Sequence, residues 1–141
     1  MCRSEALQQA RALLSLRGPD SLRTESFWGS DEGGAEELKN GQVGVCMASV
    51  LHMRGAAVQP QPMHGEDGSF LCWNGEVFAG NVEVAEHDND GLAVFQCLYR
   101  AEKSAPNAFS PEEVLRGVEG PFSFVYWQVG SCDGFWDILT Y

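Results

Sequence analysis

Positive charge is scarce in this 141-residue chain, which carries 9 Lys and Arg against 20 Asp and Glu, for a formal net charge of −11. Such a surface repels nucleic-acid phosphates and anionic membrane surfaces, so neither is expected as a partner. No apolar run reaches the ~18 residues that a membrane helix needs. The N-terminus has no apolar segment after Arg3 and is not expected to be a secretory signal. These absences predict a cytoplasmic protein.

Metal-ligand spacing is also lacking. The chain has three histidines and five cysteines, and the cysteines form no Cys-x-x-Cys pair. Free thiols in a reducing compartment are therefore expected, with no metal site. The five cysteines are Cys2, Cys46, Cys72, Cys97 and Cys132.

Three segments have helical patterns, within a length that fits one domain over residues 1–141. Apolar residues recur every three to four positions from Ser4 to Leu16, with Ser4 available as an N-cap, and again from Asn89 to Glu102. The run Ser110-Pro111-Glu112-Glu113 is a capping box with proline at the first helical position, and it predicts a short helix.

Four segments have strand patterns. Gln42–Leu51 is apolar or small on both faces and predicts a buried strand. Phe70–Phe78 contains the pair Asn74-Gly75, which predicts a tight hairpin turn. Phe122–Gln128 and Phe135–Tyr141 predict further strands. Strands joined by hairpins, with helices inserted between them, predict an α+β domain with antiparallel sheets.

Six short motifs occur in order between residues 16 and 124, and together they resemble a known family. The chain resembles the class II, N-terminal-nucleophile glutamine amidotransferase domain of asparagine synthetases. The motifs are Leu16-Arg17-Gly18-Pro19-Asp20, His52-Met53-Arg54, Gln61-Pro62, Trp73-Asn74-Gly75-Glu76-Val77-Phe78, Asn89-Asp90 and Val118-Glu119-Gly120-Pro121-Phe122-Ser123-Phe124.

The resemblance implies a fold of two stacked antiparallel sheets between helix layers. It also implies that L-glutamine is hydrolysed to glutamate and ammonia for asparagine biosynthesis, the ammonia passing to an ATP-using synthetase domain. The chain has no Ser-Gly-Gly-x-Asp-Ser type pyrophosphate loop, so no cofactor is expected on it. The family's first strand and the C-terminal part of its domain are not recognisable, which predicts a domain incomplete at both ends.

The resemblance assigns Cys2 as the nucleophile. With Met1 removed, the thiol would stand beside its own α-amino group, whose pKa of about 7.7–8.0 suits a general base. The alternative is an ordinary penultimate cysteine, since Arg3 and Ser4 lead directly into a predicted helix.

The same resemblance assigns a glutamine pocket. Arg54 would bind the substrate α-carboxylate and Asp90 the α-ammonium, while Asn74 and Gly75 form an oxyanion hole beside Glu76. Each assignment has an alternative: Arg54 could be a solvent-exposed arginine, and Asn74-Gly75 only a hairpin turn. Any of Asp88, Asn89 and Asp90 could cap the following helix.

Three functions remain open from the sequence. The first is a glutamine-hydrolysing enzyme that uses Cys2. The second is a catalytically inactive interaction or regulatory module, with a synthetase domain or another protein as partner. The third is a fragment with no independent role.

Overall fold

Three helices and seven strands make up the computed structural model, which describes residues 3–28, 42–103 and 110–128. The helices are α1 (Arg3–Arg17), α2 (Asp90–Lys103) and α3 (Pro111–Arg116). The strands are β1 (Ser21–Trp28), β2 (Gln42–Val50), β3 (Met63–His64), β4 (Phe70–Gly75), β5 (Ala79–Gly80), β6 (Val118–Glu119) and β7 (Phe122–Trp127). No helix in these ranges is long and apolar enough to cross a membrane. The predicted strand 135–141 lies outside them.

Helix α1 confirms the first predicted helix. It begins at Arg3, so Ser4 lies inside the helix and is not its cap. Leu7 and Leu14 are half-buried, while Leu16 is exposed. The helix ends before Gly18, where a Cβ would lie 2.6 Å from the Val50 nitrogen. Only glycine permits this approach between the end of α1 and the end of β2.

Strands β1 and β2 pair antiparallel, from Ser21 opposite Val50 to Trp28 opposite Gln42. No strand was predicted at Ser21–Trp28, because its polar residues occupy both faces of the period-two pattern. The expectation that β2 is buried on both faces was wrong. Ala48 is buried, but the other described side chains of β2 are only half-buried.

Strand β4 is the centre of a second antiparallel sheet with order β3-β4-β7. Its register with β7 runs from Phe70 opposite Trp127 to Gly75 opposite Phe122. Trp73 stacks on Phe122 with ring centroids 5.0 Å apart, inside the main hydrophobic core. This sheet therefore carries the apolar layer against which α2 packs, while α1 packs on β1 and β2.

The predicted hairpin turn at Asn74-Gly75 was wrong. Both residues belong to β4 and pair with β7, and Asn74 does not have the positive φ that a type I′ turn requires. Beyond Gly75 the chain stays extended, because Glu76 N–H donates to the Pro121 carbonyl and Phe78 N–H to the Glu119 carbonyl. Long-range pairing thus prevails over the local turn preference of Asn-Gly.

Helices α2 and α3 follow the sequence prediction closely. Val94 and Leu98 of α2 are fully buried in the core, as the helical period predicts. Ser110 and Glu113 form the predicted capping box of α3. Small antiparallel sheets with separate helices confirm the α+β class. Stacking of two sheets between helix layers remains a prediction.

Candidate amino-acid-binding site

Arg54 and Asp90 form a two-point ion pair. Arg54 Nη1 donates to Asp90 Oδ2 over 3.2 Å, and Arg54 Nε lies 3.2 Å from Asp90 Oδ1. The Asp90 side chain is only 5% exposed, whereas that of Arg54 is 31% exposed. A buried carboxylate is costly without a partner, so the arginine neutralises a charge that cannot reach water.

The start of α2 explains how Asp90 reaches this position. Asn89 is the N-cap, because its Oδ1 accepts from Leu92 N–H over 3.0 Å. Its Nδ2 donates to the Arg54 carbonyl over 3.4 Å, which ties the segment after β2 to the helix. Asn89 therefore takes the capping role that the sequence left open between three residues, and Asp90 contacts the arginine instead. The helix N-terminus also favours this negative charge.

The two oxygens of Asp90 have different environments. Oδ2 accepts from Val77 N–H over 2.7 Å and from Arg54. Oδ1 is buried and has no aligned donor, because Arg54 Nε is close to it without pointing at it. Among the described residues, one other buried side-chain polar atom lacks a hydrogen bond, Trp73 Nε1. A Cβ on Gly91 would lie 3.1 Å from Trp73 Cδ1, the ring carbon bonded to Nε1. Trp73 Nε1 and Asp90 Oδ1 therefore both lie near the first turn of α2.

The Asn74–Glu76 segment reaches the ion pair through Val77, whose N–H binds Asp90. Asn74, Gly75 and Glu76 are exposed at the end of β4. The Asn74 carbonyl accepts from Ser123 Oγ over 3.5 Å, in line with the pairing of β4 and β7. The structure thus brings Arg54 and Asp90 into contact, and the exposed Asn74–Glu76 segment directly precedes Val77, whose N–H binds Asp90.

The side chain of Gln61 binds the backbone of β4 at Trp73, a contact that was not predicted. Its Nε2 donates to the Trp73 carbonyl and its Oε1 accepts from Trp73 N–H, both over 2.7 Å. The side-chain amide therefore takes the place of a paired strand residue opposite Trp73, two residues before the short strand β3. The Gln61–Pro62 peptide is cis. The Gln-Pro motif was visible in the sequence, but its spacing gives no sign of this contact.

Cys2 lies outside the described residues, and helix α1 begins one residue later in the sequence, at Arg3. Gly18 contacts Val50, and Arg11 Nη1 donates to Thr24 Oγ1 over 2.9 Å halfway along β1. Helix α1 therefore runs from Arg3 toward Val50, the residue that leads to Arg54. At 1.5 Å per residue, Arg3 lies about 20 Å along the helix axis from this end.

An open cleft of about 600 Å³ lies along the outer face of α2. It shares Asn89 with the ion-pair region and is otherwise mostly polar. Its other lining residues are Asn81, Glu83, Asp88, Leu92, Ala93, Gln96, Cys97 and Arg100. Within residues 3–28, 42–103 and 110–128, no three His, Cys, Asp or Glu side chains converge to hold a metal ion.

The chain is similar in sequence to asparagine synthetase domain-containing proteins. The chain is 37% identical over 84 residues to the Asparagine synthetase domain-containing protein 1 of Homo sapiens, covering 60% of this chain. The Mus musculus and Bos taurus proteins of the same name are 34% identical over 120 residues and 33% identical over 121 residues, each covering 84% of this chain. These matches support an asparagine synthetase-like family.

The chain spans only 12% of the human relative and 16% of each of the other two. No protein-family model and no solved structure matches it. The similarity therefore supports the asparagine synthetase-like part of the expectation. The N-terminal-nucleophile domain and its glutamine chemistry remain predictions.

Proposed function

We propose that this chain is a glutamine amidotransferase-type domain that binds the α-amino-acid end of L-glutamine at Arg54 and Asp90. The observation that carries the proposal is the buried Asp90 Oδ1, which has a cation beside it but no aligned hydrogen bond. A free amino acid carries both charges needed to engage the pair. Its ammonium supplies an N–H for Oδ1, and its carboxylate matches the fork of the guanidinium.

Binding exchanges one ion pair for two. The partly exposed edge of Arg54 meets the substrate carboxylate, while the ammonium takes the place of Arg54 Nε beside Oδ1. Val77 N–H keeps Oδ2 fixed throughout, so the carboxylate of Asp90 does not have to move. The substrate side chain then extends along the exposed Asn74–Glu76 segment, where Asn74 and Gly75 act as oxyanion donors.

The reaction we propose is hydrolysis of the side-chain amide in the cytoplasm, with Cys2 as nucleophile after Met1 is removed. The α-amino group of Cys2 takes the thiol proton, the thiolate attacks the amide carbon, and the proton passes to the leaving nitrogen, which departs as ammonia. Water then hydrolyses the thioester, which releases glutamate and restores the Cys2 thiol. Ammonia would then pass to an ATP-using synthetase domain for asparagine synthesis. The chain itself contributes the glutamine half of this sequence.

A second candidate is a module that binds through the same scaffold without hydrolysing glutamine. The observation that favours it is the direction of α1, because Arg3 lies at the end of the helix away from Val50. A nucleophile displaced by even about 1 Å can lose on the order of 100-fold in rate.

Calorimetry with L-glutamine tests the binding proposal. We expect the chain to bind, Arg54→Lys to bind at least 10-fold more weakly, and Arg116→Lys to bind normally. Arg116 is the matched control because it pairs with Glu112 on the exposed face of α3. Equal affinity for the two variants, at equal folded content by circular dichroism, would refute the proposed pocket.

Ammonia release tests the reaction separately. Mass spectrometry first establishes whether Met1 is absent, since a retained Met1 blocks the α-amine of Cys2. We then expect the chain to release ammonia from L-glutamine and Cys2→Ala to release none. Equal release from both proteins would exclude Cys2 as the nucleophile. Binding of glutamine without release of ammonia would favour the inactive module.

A further inference from the structure

Two thiols from different sheets lie in contact. Cys46 on β2 and Cys72 on β4 have their sulfur atoms 3.5 Å apart, and both side chains are half-buried. A disulfide bond is about 2.05 Å long, so closure needs the sulfurs to approach by about 1.5 Å. Side-chain rotation can supply much of this, since both sulfurs sit on single χ1 torsions.

The surroundings make one thiol more reactive than the other. A hydrogen bond from the Cys72 thiol lowers the pKa of Cys46, against the opposing effects of burial and of the Glu25 carboxylate. The same hydrogen bond and burial raise the pKa of Cys72. Glu25 lies opposite Cys46 in the β1–β2 register and contacts His64 Nε2 on β3. Cys46 is therefore the more readily ionised thiol and Cys72 the donor beside it.

We propose that Cys46 and Cys72 are a peroxide-sensitive dithiol that closes to a disulfide joining β2 to β4. The Cys46 thiolate attacks the O–O bond of a hydroperoxide, gains one oxygen as sulfenic acid and releases hydroxide or alkoxide. The Cys72 sulfur then attacks the Cys46 sulfur, forming the S–S bond. Its thiol proton joins the departing hydroxyl as water. The two thiols are oxidised by two electrons and the peroxide is reduced.

The bond would join two strands that lead toward the ion pair. Strand β2 leads within four residues of its end to Arg54, and β4 leads within two residues of its end to Val77, whose N–H donates to Asp90. The dithiol does not depend on glutamine binding, because neither sulfur belongs to the proposed pocket. It is a modification site in its own right.

Cys97 provides an internal control. It lies half-buried on α2, and within the described residues it has no sulfur at hydrogen-bonding distance. An oxidant that acts on any half-buried cysteine should modify Cys97 as readily as Cys46. A reaction directed by contact between the thiols should instead link Cys46 to Cys72.

Peptide mapping tests the proposal. The folded chain is treated with hydrogen peroxide, remaining thiols are alkylated, and the protein is cleaved after basic residues and after glutamate. These cuts place Cys46 in residues 40–54, Cys72 in residues 67–76 and Cys97 in residues 87–100. We expect the first two peptides to be linked with loss of two hydrogen masses, and the link to disappear after reduction.

Single cysteine-to-serine variants test which thiols form the link. Cys97→Ser should form it at the wild-type rate, whereas Cys46→Ser and Cys72→Ser should form none. If either variant folds poorly, the peptide map of the wild-type chain still tests the proposal by itself. A Cys46 link to any other cysteine, or stepwise oxidation of Cys46 without a link, would overturn the proposal.

Discussion

Replacing Arg54 by alanine should destabilise the protein far more than an exposed arginine replacement does. The change leaves the Asp90 carboxylate buried, with Val77 N–H as its remaining hydrogen-bond donor in the described structure. Breaking a buried ion pair on one side costs about 3–5 kcal/mol. We expect about 3 kcal/mol, because Arg54 itself is roughly one-third exposed and water screens part of the interaction.

Urea unfolding measures this cost. With an m-value of about 2 kcal/mol/M, a loss of about 3 kcal/mol lowers the midpoint by about 1.5 M. The control is Arg116→Ala, which removes an exposed i,i+4 pair with Glu112 and should cost about 0.3–0.5 kcal/mol.

A double variant tests whether the unpaired Asp90 charge causes the loss of stability. Asp90→Asn keeps an oxygen for Val77 N–H but removes the buried charge, so Arg54→Ala with Asp90→Asn should be more stable than Arg54→Ala alone. If the double variant is less stable, or if Arg54→Ala costs no more than Arg116→Ala, then the pair is not a buried ion pair of the kind described.

Three further predictions concern other contacts, each read by unfolding. Gln61→Ala should cost about 2–4 kcal/mol, because it removes both side-chain bonds to the Trp73 backbone; a loss below 1 kcal/mol would mean that water replaces them. Gly75→Ala should destabilise the sheet, since its Cβ would lie 2.4 Å from the Phe122 Cβ; unchanged stability would show that β7 moves away at little cost. For Asp67, burial opposes ionisation, but a backbone N–H and a lysine ammonium outweigh it and lower its pKa below the ordinary 3.8. The stability it adds is therefore complete above pH ~4 and lost as pH falls through the lower folded pKa. Asp67→Asn should thus be less stable than the wild type at pH 6, and the gap should narrow as the pH falls below the ordinary 3.8; a gap that does not narrow would contradict this.

Helices were the most predictable part of the fold, because their signals are local. The capping box at Ser110 and the apolar period of α2 both depend on residues within one or two turns, and the structure has both. Strand β1 was missed because Ser21–Trp28 has no apolar face of its own. Its order comes from pairing with β2, which the local pattern does not contain.

The wrong and missed predictions at the site also concern contacts between residues far apart in the sequence. Asn74-Gly75 has the composition of a tight turn, yet its partner is β7, some fifty residues later. Arg54 and Asp90 were predicted as pocket residues, which stays a prediction, and their direct contact was not predicted. The Cys46–Cys72 contact was also missed, since the two residues are 26 positions apart and meet through the arrangement of two sheets. Local sequence thus shows which residues carry charge or a thiol, but not which of them touch.

The side-chain amide of Gln61 has a consequence for how copies of this protein behave together. Strand β3 covers β4 only opposite Phe70 and Leu71, so the backbone of Trp73 would otherwise offer a donor and an acceptor to any passing strand. Unpaired strand backbone of this kind is a starting point for intermolecular sheet growth. By taking both groups, one glutamine shields a hydrophobic strand from self-association. Loss of Gln61 should therefore appear as concentration-dependent aggregation even in molecules that remain folded.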